Sequence, residues 1–159
     1  MPIFQIALTD IKKFIEVEDE VLDYYSGVGA ISLTLASQFK RGILIEENEE
    51  AIEFTKRNIS QNKITNCEIF QATAGEQATL IAANSVVVLD PPRAGLAKTL
   101  VDEILKIQPK RLIYLSCDIA TQARDIARLK EKYELRFIKL YNFFPRTPHV
   151  ECLCVLDKK

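Results

Sequence analysis

The chain has 159 residues, 48% of them hydrophobic and 27% charged, with a formal net charge of −1. That is enough for one globular domain with a sizeable core and too little for two. No apolar stretch approaches the roughly 18 residues of a membrane helix, and Met1-Pro2-Ile3-Phe4-Gln5 lacks the basic start and apolar run of a signal peptide, so a soluble cytoplasmic protein is expected.

Short apolar runs alternate with helix-period segments along the whole chain. A buried strand is predicted over residues 21–25 and a helix over 30–39. A second strand follows over 42–45 and a second helix over 49–59. The third strand covers 67–71. The fourth covers 85–90, with Val86-Val87-Val88-Leu89 apolar at every position. A helix over 98–107, a fifth strand over 111–116 and a helix over 119–132 come next, and strands over 135–143 and 151–156 close the chain. Continuous apolar strands separated by helices predict a parallel sheet covered on both faces. The last two strands have no helix between them and should pair antiparallel. The expected fold is therefore α/β, five βα units and a C-terminal hairpin, which resembles the seven-stranded Rossmann-like architecture of class I methyltransferases. In such sheets ligands bind outside the carboxyl ends of the strands, so chemistry is expected just after Tyr25, Ile45, Asp90 and Ser116.

Unusual residues stand at those places. The first strand runs into Ser26-Gly27-Val28-Gly29, where glycines permit a tight turn and close approach to a ligand. The position of a third dinucleotide-site glycine holds Ser32 instead, so the same string also suits an ordinary turn. Glu46 ends the second strand about 20 residues after the glycine turn, the expected place for a ribose-binding carboxylate. It equally suits the acidic start of a helix. Asp90 leads into Pro91-Pro92-Arg93, and two prolines after a buried strand make a rigid rim with two fewer N–H donors.

Cys117 follows the fifth strand and precedes a helix, where the positive end of the helix dipole favours a thiolate. The competing reading is a small buried hydrophobe. Cys152 and Cys154 alternate on one strand face and read as core. Cys67 is the fourth cysteine; there is no Cys-x-x-Cys pair and one histidine, His149, so neither a metal centre nor a disulfide framework is expected from this chain. Glu151 at the start of the last strand is a candidate general base or a solvated strand-end carboxylate. Residues 1–105 carry 9 Lys/Arg against 16 Asp/Glu, and residues 106–159 carry 12 against 6. The basic last third fits either contact with a polyanion or a solvated helix face around Arg124, Arg128, Lys130 and Lys132.

Together these strings resemble the RNA uracil-5-methyltransferase family, which modifies uridines in tRNA and ribosomal RNA. The resemblance is carried by residues 22–29, by Asp90-Pro91-Pro92-Arg93-Ala94-Gly95-Leu96, by Ser116-Cys117-Asp118 with Ala120-Thr121 and Ala123-Arg124-Asp125, and by Phe144-Pro145 through His149-Val150-Glu151. It implies S-adenosylmethionine as cofactor and RNA as partner, with the whole chain as one catalytic domain. Gln5, Tyr25, Glu46 and Asp90 match cofactor-contacting positions, beside the Gly27–Gly29 turn. Cys117 matches the nucleophile and Glu151 the base, while Pro91, Pro92 and Arg93 would shape the target pocket. Tyr25, Phe143 or Phe144 would stack on base or cofactor, and Thr73 or Ala74 would approach the adenine.

The sequence departs from the family pattern at Ala7, Ser26, Ala30 and Asp118, where asparagine, cysteine, a polar residue and asparagine are usual. The N-terminal RNA-binding region of family members, and the iron–sulfur cluster of some, have no counterpart in these residues. A fragment, a truncated form or a minimal form is expected, one that binds S-adenosylmethionine but methylates RNA poorly alone. Three alternatives stay open: a class I methyltransferase acting on a base amino group, a degenerate cofactor-binding domain, and, more distantly, a nicotinamide-binding oxidoreductase.

Overall fold

A computed structural model describes residues 3–143, 145–147 and 150–159. Helix α1 (Ile3–Lys12) leads to strand β1 (Glu20–Tyr24). Strand β2 (Arg41–Glu46), helix α2 (Glu49–Gln61) and strand β3 (Cys67–Gln71) follow. Then come β4 (Val86–Leu89), α3 (Lys98–Ile107), β5 (Arg111–Ser116), α4 (Ile119–Leu129), β6 (Tyr133–Tyr141) and β7 (Glu151–Lys158). The seven strands form one sheet in the order β3-β2-β1-β4-β5-β7-β6. Pairing is parallel from β3 to β5 and antiparallel for β5–β7 and β6–β7, as the sequence predicts. The order reverses between β1 and β4, which opens the crevice of a doubly wound sheet at their carboxyl ends.

Alternation along each strand divides the core in two. Leu22, Tyr24, Val87, Leu89, Leu112, Tyr114 and Leu156 face α3 and α4. Val21, Val86, Val88, Ile113, Leu153 and Val155 face α1 and the segment after β1. Helix α2 begins where Asn48 accepts the Ala51 N–H at 3.0 Å, with Glu49 and Glu50 in its first turn complementing the helix dipole. Helix α4 begins where the Asp118 carboxylate accepts the Thr121 N–H at 2.8 Å.

Three sequence expectations are corrected. Residues 30–39 do not form a regular helix but irregular turns ending in a short 3₁₀ helix, Ala36–Gln38. Leu33 and Leu35 bond back four residues, whereas Ala36 and Gln38 bond back three. Ile31, Ser32 and Thr34 are poor helix formers, Ser32 turns inward to burial, and the Thr34 hydroxyl donates to the Ala30 carbonyl. The β3–β4 connection holds only a 3₁₀ turn, Ala78–Leu80, so three interstrand α-helices stand where five βα units are expected. Helix α1 is additional. It buries Ala7, Leu8 and Ile11, and its buried Asp10 accepts from Lys13, Lys139 and Tyr141, fastening the helix to the far edge strand.

Half of the basic residues of the last third are committed within the fold. Lys106, Lys110, Arg111, Arg124, Arg128 and Lys139 all sit in intramolecular ion pairs. None of the described helices is long and apolar enough to cross a membrane. Among the described residues no cluster of His, Cys, Asp or Glu is placed to hold a metal ion.

Candidate active site

The carboxyl ends of β1, β4 and β5 and the adjoining start of the antiparallel β7 bring forward Asp23, Asp90, Cys117 and Glu151 in that order across the sheet. Ser116 pairs with Cys152 in the β5–β7 ladder, so one further step sets Cys117 opposite Glu151. Neighbouring strands lie about 4.8 Å apart, which puts Asp90 and Glu151 one strand to either side of the thiol. Alternation continued from Leu89, Ser116 and Cys152 turns Asp90, Cys117 and Glu151 to the same sheet face as Asp23.

Cys117 is partly exposed and is a free thiol. The Asp118 N–H donates to Ser116 Oγ at 3.1 Å and Ser116 Oγ donates to the Asp118 carbonyl at 3.2 Å. This small loop holds the cysteine one residue ahead of the helix cap. Glu151 is 8% exposed, and burial raises its pKa above the usual carboxylate range. Asp90 is solvent-exposed as a residue, while its carboxyl is partly desolvated. Desolvation first, and then the charges of Asp23 and Glu151, push its pKa up to about 7. Pro91 is buried behind it, while Pro92 and Arg93 form the exposed rim. The Arg93 charge helps lower the Asp118 pKa, after the larger effect of the Thr121 hydrogen bonds.

Beneath the glycine turn lies a polar group that the fold itself does not satisfy. Asp23 is 1% exposed, and neither of its oxygens has a hydrogen bond. The hydroxyls of Ser26 and Ser32 are buried and equally unpartnered. Ser32 is near enough to favour the Asp23 anion electrostatically without hydrogen-bonding geometry. Desolvation outweighs it, and the Asp23 pKa is pushed up to about 7. A buried carboxylate left without a partner is costly, and a cation bound over it would relieve the cost. Gly27 sits above with φ 54°, and a Cβ there would meet nothing within 4 Å, so the turn faces open space.

Glu46 ties the glycine turn to β2. Its Oε2 accepts the Gly27 N–H at 2.8 Å, and its Oε1 accepts the N–H groups of Glu47 and Asn48 at 3.0 and 2.8 Å. A carboxylate has about four acceptor sites, so one is left that could accept a further donor. Tyr25 adopts φ 63°, a conformation non-glycine residues rarely hold. Its hydroxyl accepts the Ala97 N–H at 3.0 Å, linking the β1 turn to the start of α3. Tyr25, Ile45, Glu46, Glu47, Ala72, Thr73 and Ala74 line a cavity of about 20 Å³. A nucleoside would lie mostly across its open mouth. A wider depression of about 650 Å³ lies along α2, lined by Asn48, Glu49, Glu50, Glu53, Phe54 and Arg57, and holds none of these groups.

Of the remaining predicted residues, Gln5 is exposed in the first turn of α1. That turn reaches the same edge of the sheet, since the Phe4 ring packs edge-on against Phe143 at 5.9 Å, just beyond the end of β6. Phe143 also packs on Tyr141 and is thereby committed to the fold. Gly29 and Ala30 line a separate groove between the 28–37 segment and α2. Phe144 and His149 lie outside the described residues. Cys152 and Cys154 are buried, as predicted. Asp23, Ser32, Gln122 and Asp125 escape sequence reasoning as site residues. The signal available was the polar residue inside an otherwise apolar strand or helix face.

Residues 7–159 match the family model described as tRNA (Uracil-5-)-methyltransferase. An uncharacterised RNA methyltransferase of Mycoplasma mobile is 38% identical over 154 residues, covering 96% of this chain and 42% of that protein. One from Nanoarchaeum equitans is 44% identical, covering 93% of this chain and 33% of its own length. The chain thus spans less than half the length of these relatives. The crystal structure of Pyrococcus abyssi tRNA (uracil-54, C5)-methyltransferase in complex with S-adenosyl-L-homocysteine superposes with a TM-score of 0.83 at 34% identity, covering 94% of this chain and 37% of that one. A precorrin-6y C5,15-methyltransferase from Geobacter metallireducens, at a TM-score of 0.79 and 12% identity, shares the fold alone.

Proposed function

Because the chain belongs to the tRNA (uracil-5-)-methyltransferase family, we propose that it carries the catalytic domain that methylates carbon 5 of a uridine in tRNA or ribosomal RNA. S-adenosylmethionine is the methyl donor in this reading. The observation that carries it is the row of Asp90, Cys117 and Glu151 on adjoining strand ends, on one face of the sheet.

The donor-binding half rests on the orphaned polar atoms. Asp23, Ser26 and Ser32 under the glycine turn suit the cationic amino-acid end of the donor. Glu46 suits the ribose, and Tyr25, Thr73 and Ala74 the base. Bound there, S-adenosylmethionine supplies an electrophilic methyl group on a positively charged sulfur.

The residues of the chain do the rest. Carbon 5 of uracil is too weak a nucleophile to take a methyl group directly. The Cys117 thiolate adds to carbon 6, forming a C–S bond and placing enolate character on carbon 5. Carbon 5 would then take the methyl group as its bond to sulfur breaks, with S-adenosylhomocysteine as the leaving group, and Glu151 removes the proton still attached to carbon 5. Elimination breaks the C–S bond, restores the ring double bond and returns the thiolate. A buried glutamate whose pKa is raised is a stronger base than a solvated one and sits nearer the working pH. Asp90, with a pKa of about 7, can donate to or accept from a polar base edge. Pro91, Pro92 and Arg93 wall the pocket that receives a base flipped out of its stack.

The test is methylation of a uridine-containing RNA, with three proteins compared. Cys117→Ala should abolish transfer, and Glu151→Gln should accumulate a methylated protein–RNA adduct. Full transfer by Cys117→Ala would move the reaction to a base amino group, which needs no thiol. The isolated chain is expected to bind the donor well and turn over slowly; rapid turnover on protein-free RNA would overturn that part.

A further inference from the structure

Helix α4 buries a carboxamide and a carboxylate, Gln122 and Asp125, on the side that faces the sheet. Helices normally present apolar residues there, and buried polar groups are costly unless bonded. Both are bonded, and apart from Arg124 and Arg128 on α4 itself their partners lie on β5, β7 and the rim loop, which border the active site. Gln122 Nε2 donates to the carbonyls of Tyr114 and Cys152, at 2.9 and 3.0 Å. It thereby joins β5 to β7 just below Cys117 and Glu151. Asp125 Oδ2 accepts the Leu96 N–H at 2.9 Å and the Tyr114 hydroxyl at 3.1 Å. Its Oδ1 accepts from Arg124 Nε and Nη2 at 3.0 and 2.8 Å. Arg124 Nη2 also donates to the Ala94 carbonyl at 2.9 Å.

The backbone groups on either side of Gly95 are therefore gripped by one ion pair. Gly95 itself has φ 85°, and a Cβ there would lie 2.5 Å from Asp125 Oδ2 and 2.6 Å from Arg124 Nη2. The rim loop is pressed onto α4 with no room for a side chain. The next amide, Ala97 N–H, is held by the Tyr25 hydroxyl.

We infer that Asp125 and Arg124 are positioning residues: they lock the Asp90–Leu96 rim onto the helix that begins beside Cys117, and so fix the distance between the target pocket and the thiol. The inference rests on the reading of Cys117 as nucleophile. The bonds to Leu96 N–H and the Ala94 carbonyl hold the rim backbone on both sides of Gly95, in the loop that follows Asp90 and the two prolines. Misplacement of reacting groups by about 1 Å costs on the order of a hundredfold in rate.

The test uses the whole chain as wild type, Asp125→Asn, Arg124→Ala and Arg124→Lys. Asparagine keeps the shape but loses the ion pair. Arg124 is half-exposed, so Arg124→Ala carries the test if Asp125→Asn does not fold. Four quantities are measured: amide hydrogen exchange at Leu96, the rate at which Cys117 forms an adduct with RNA containing 5-fluorouridine, affinity for S-adenosylhomocysteine, and melting temperature. The expected result is exchange at Leu96 at least about tenfold faster, and adduct formation slower by about tenfold to a hundredfold at saturating RNA. Affinity for S-adenosylhomocysteine should stay within about twofold, and Arg124→Lys should recover part of the rate. Unchanged exchange overturns the inference. So does a rate that falls only in step with melting temperature and S-adenosylhomocysteine affinity. A wild-type chain that forms no adduct refutes the reading of Cys117 instead, and the clamp then stands or falls on the exchange of Leu96.

Discussion

Replacing Asp23 by asparagine is expected to stabilise the free protein above neutral pH while weakening its hold on the donor. The carboxyl is buried without a hydrogen bond, and its pKa rises from 3.8 to about 7, first through desolvation and then through the charge of Glu46. In the unfolded chain the group ionises near pH 4, whereas in the folded chain it stays protonated until about pH 7. Between those values the unfolded state binds fewer protons, so stability falls as pH rises and levels off above pH 7. A rise of that size corresponds to about 4 kcal/mol as the full cost, and local relaxation reduces it to about 2–4 kcal/mol. The difference between variant and wild type should be near zero at pH 4, climb to pH 7, and stay level beyond. Urea unfolding followed by circular dichroism at pH 4, 5.5, 7 and 8.5 reads this directly. At pH 8.5 the variant should bind S-adenosylhomocysteine about tenfold to a hundredfold more weakly, the loss of one charge-assisted hydrogen bond. A variant less stable than wild type at pH 8.5, or a difference independent of pH, would refute the reasoning.

Three other expectations concern separate parts of the molecule. Burial raises the Asp10 pKa, but the hydrogen bonds from Lys13, Lys139 and Tyr141 outweigh it and hold it at about 2. Its stabilising effect is therefore present above pH 4 and lost as pH falls towards 2. The lysines are solvent-exposed, so it amounts to about 1 kcal/mol. Lys139→Met should flatten the acid limb of the unfolding curve, and an unchanged limb would contradict it. Gly95→Ala should destabilise by about 2–4 kcal/mol in urea, combining left-handed backbone strain with overpacking; a loss under about 0.5 kcal/mol would show that the rim yields freely. Iodoacetamide at pH 7.5 should label Cys117 ahead of the other thiols, because burial pushes Cys67 up to about 11 and Cys152 and Cys154 are buried. Mass spectrometry finding Cys67 labelled first would count against this.

Much of the candidate site's placement was legible because parallel sheets bring residues together at strand ends. Glu46, Asp90 and Cys117 end or follow strands whose apolar runs declare themselves, and the β5–β7 register then brings Glu151 opposite the thiol. What escaped depends on partners distant in sequence. Asp23 reads as a polar interruption in a buried strand; only the fold leaves its oxygens unpartnered beneath Gly27. Asp125 lies between Arg124 and Arg128 and looks like part of a solvated helix face until α4 turns it onto Leu96 and Tyr114. The regular helix expected over residues 30–39 failed for a local reason. Apolar spacing there was right, but Ser32 and Thr34 gave the backbone other bonding choices. Helix α1 went unassigned because its buried face, Ala7, Leu8 and Ile11, becomes meaningful only against the sheet it covers.

The central claim is that Cys117 attacks carbon 6 of a uracil. It is tested most directly by incubating the chain with S-adenosylmethionine and RNA containing 5-fluorouridine, then mapping any covalent adduct by peptide mass spectrometry. Fluorine at carbon 5 cannot be removed as a proton, so the reaction should stop with RNA attached to Cys117 and the methyl group already transferred. RNA that associates in the presence of bound donor yet yields no adduct, or an adduct on another residue, would contradict the account.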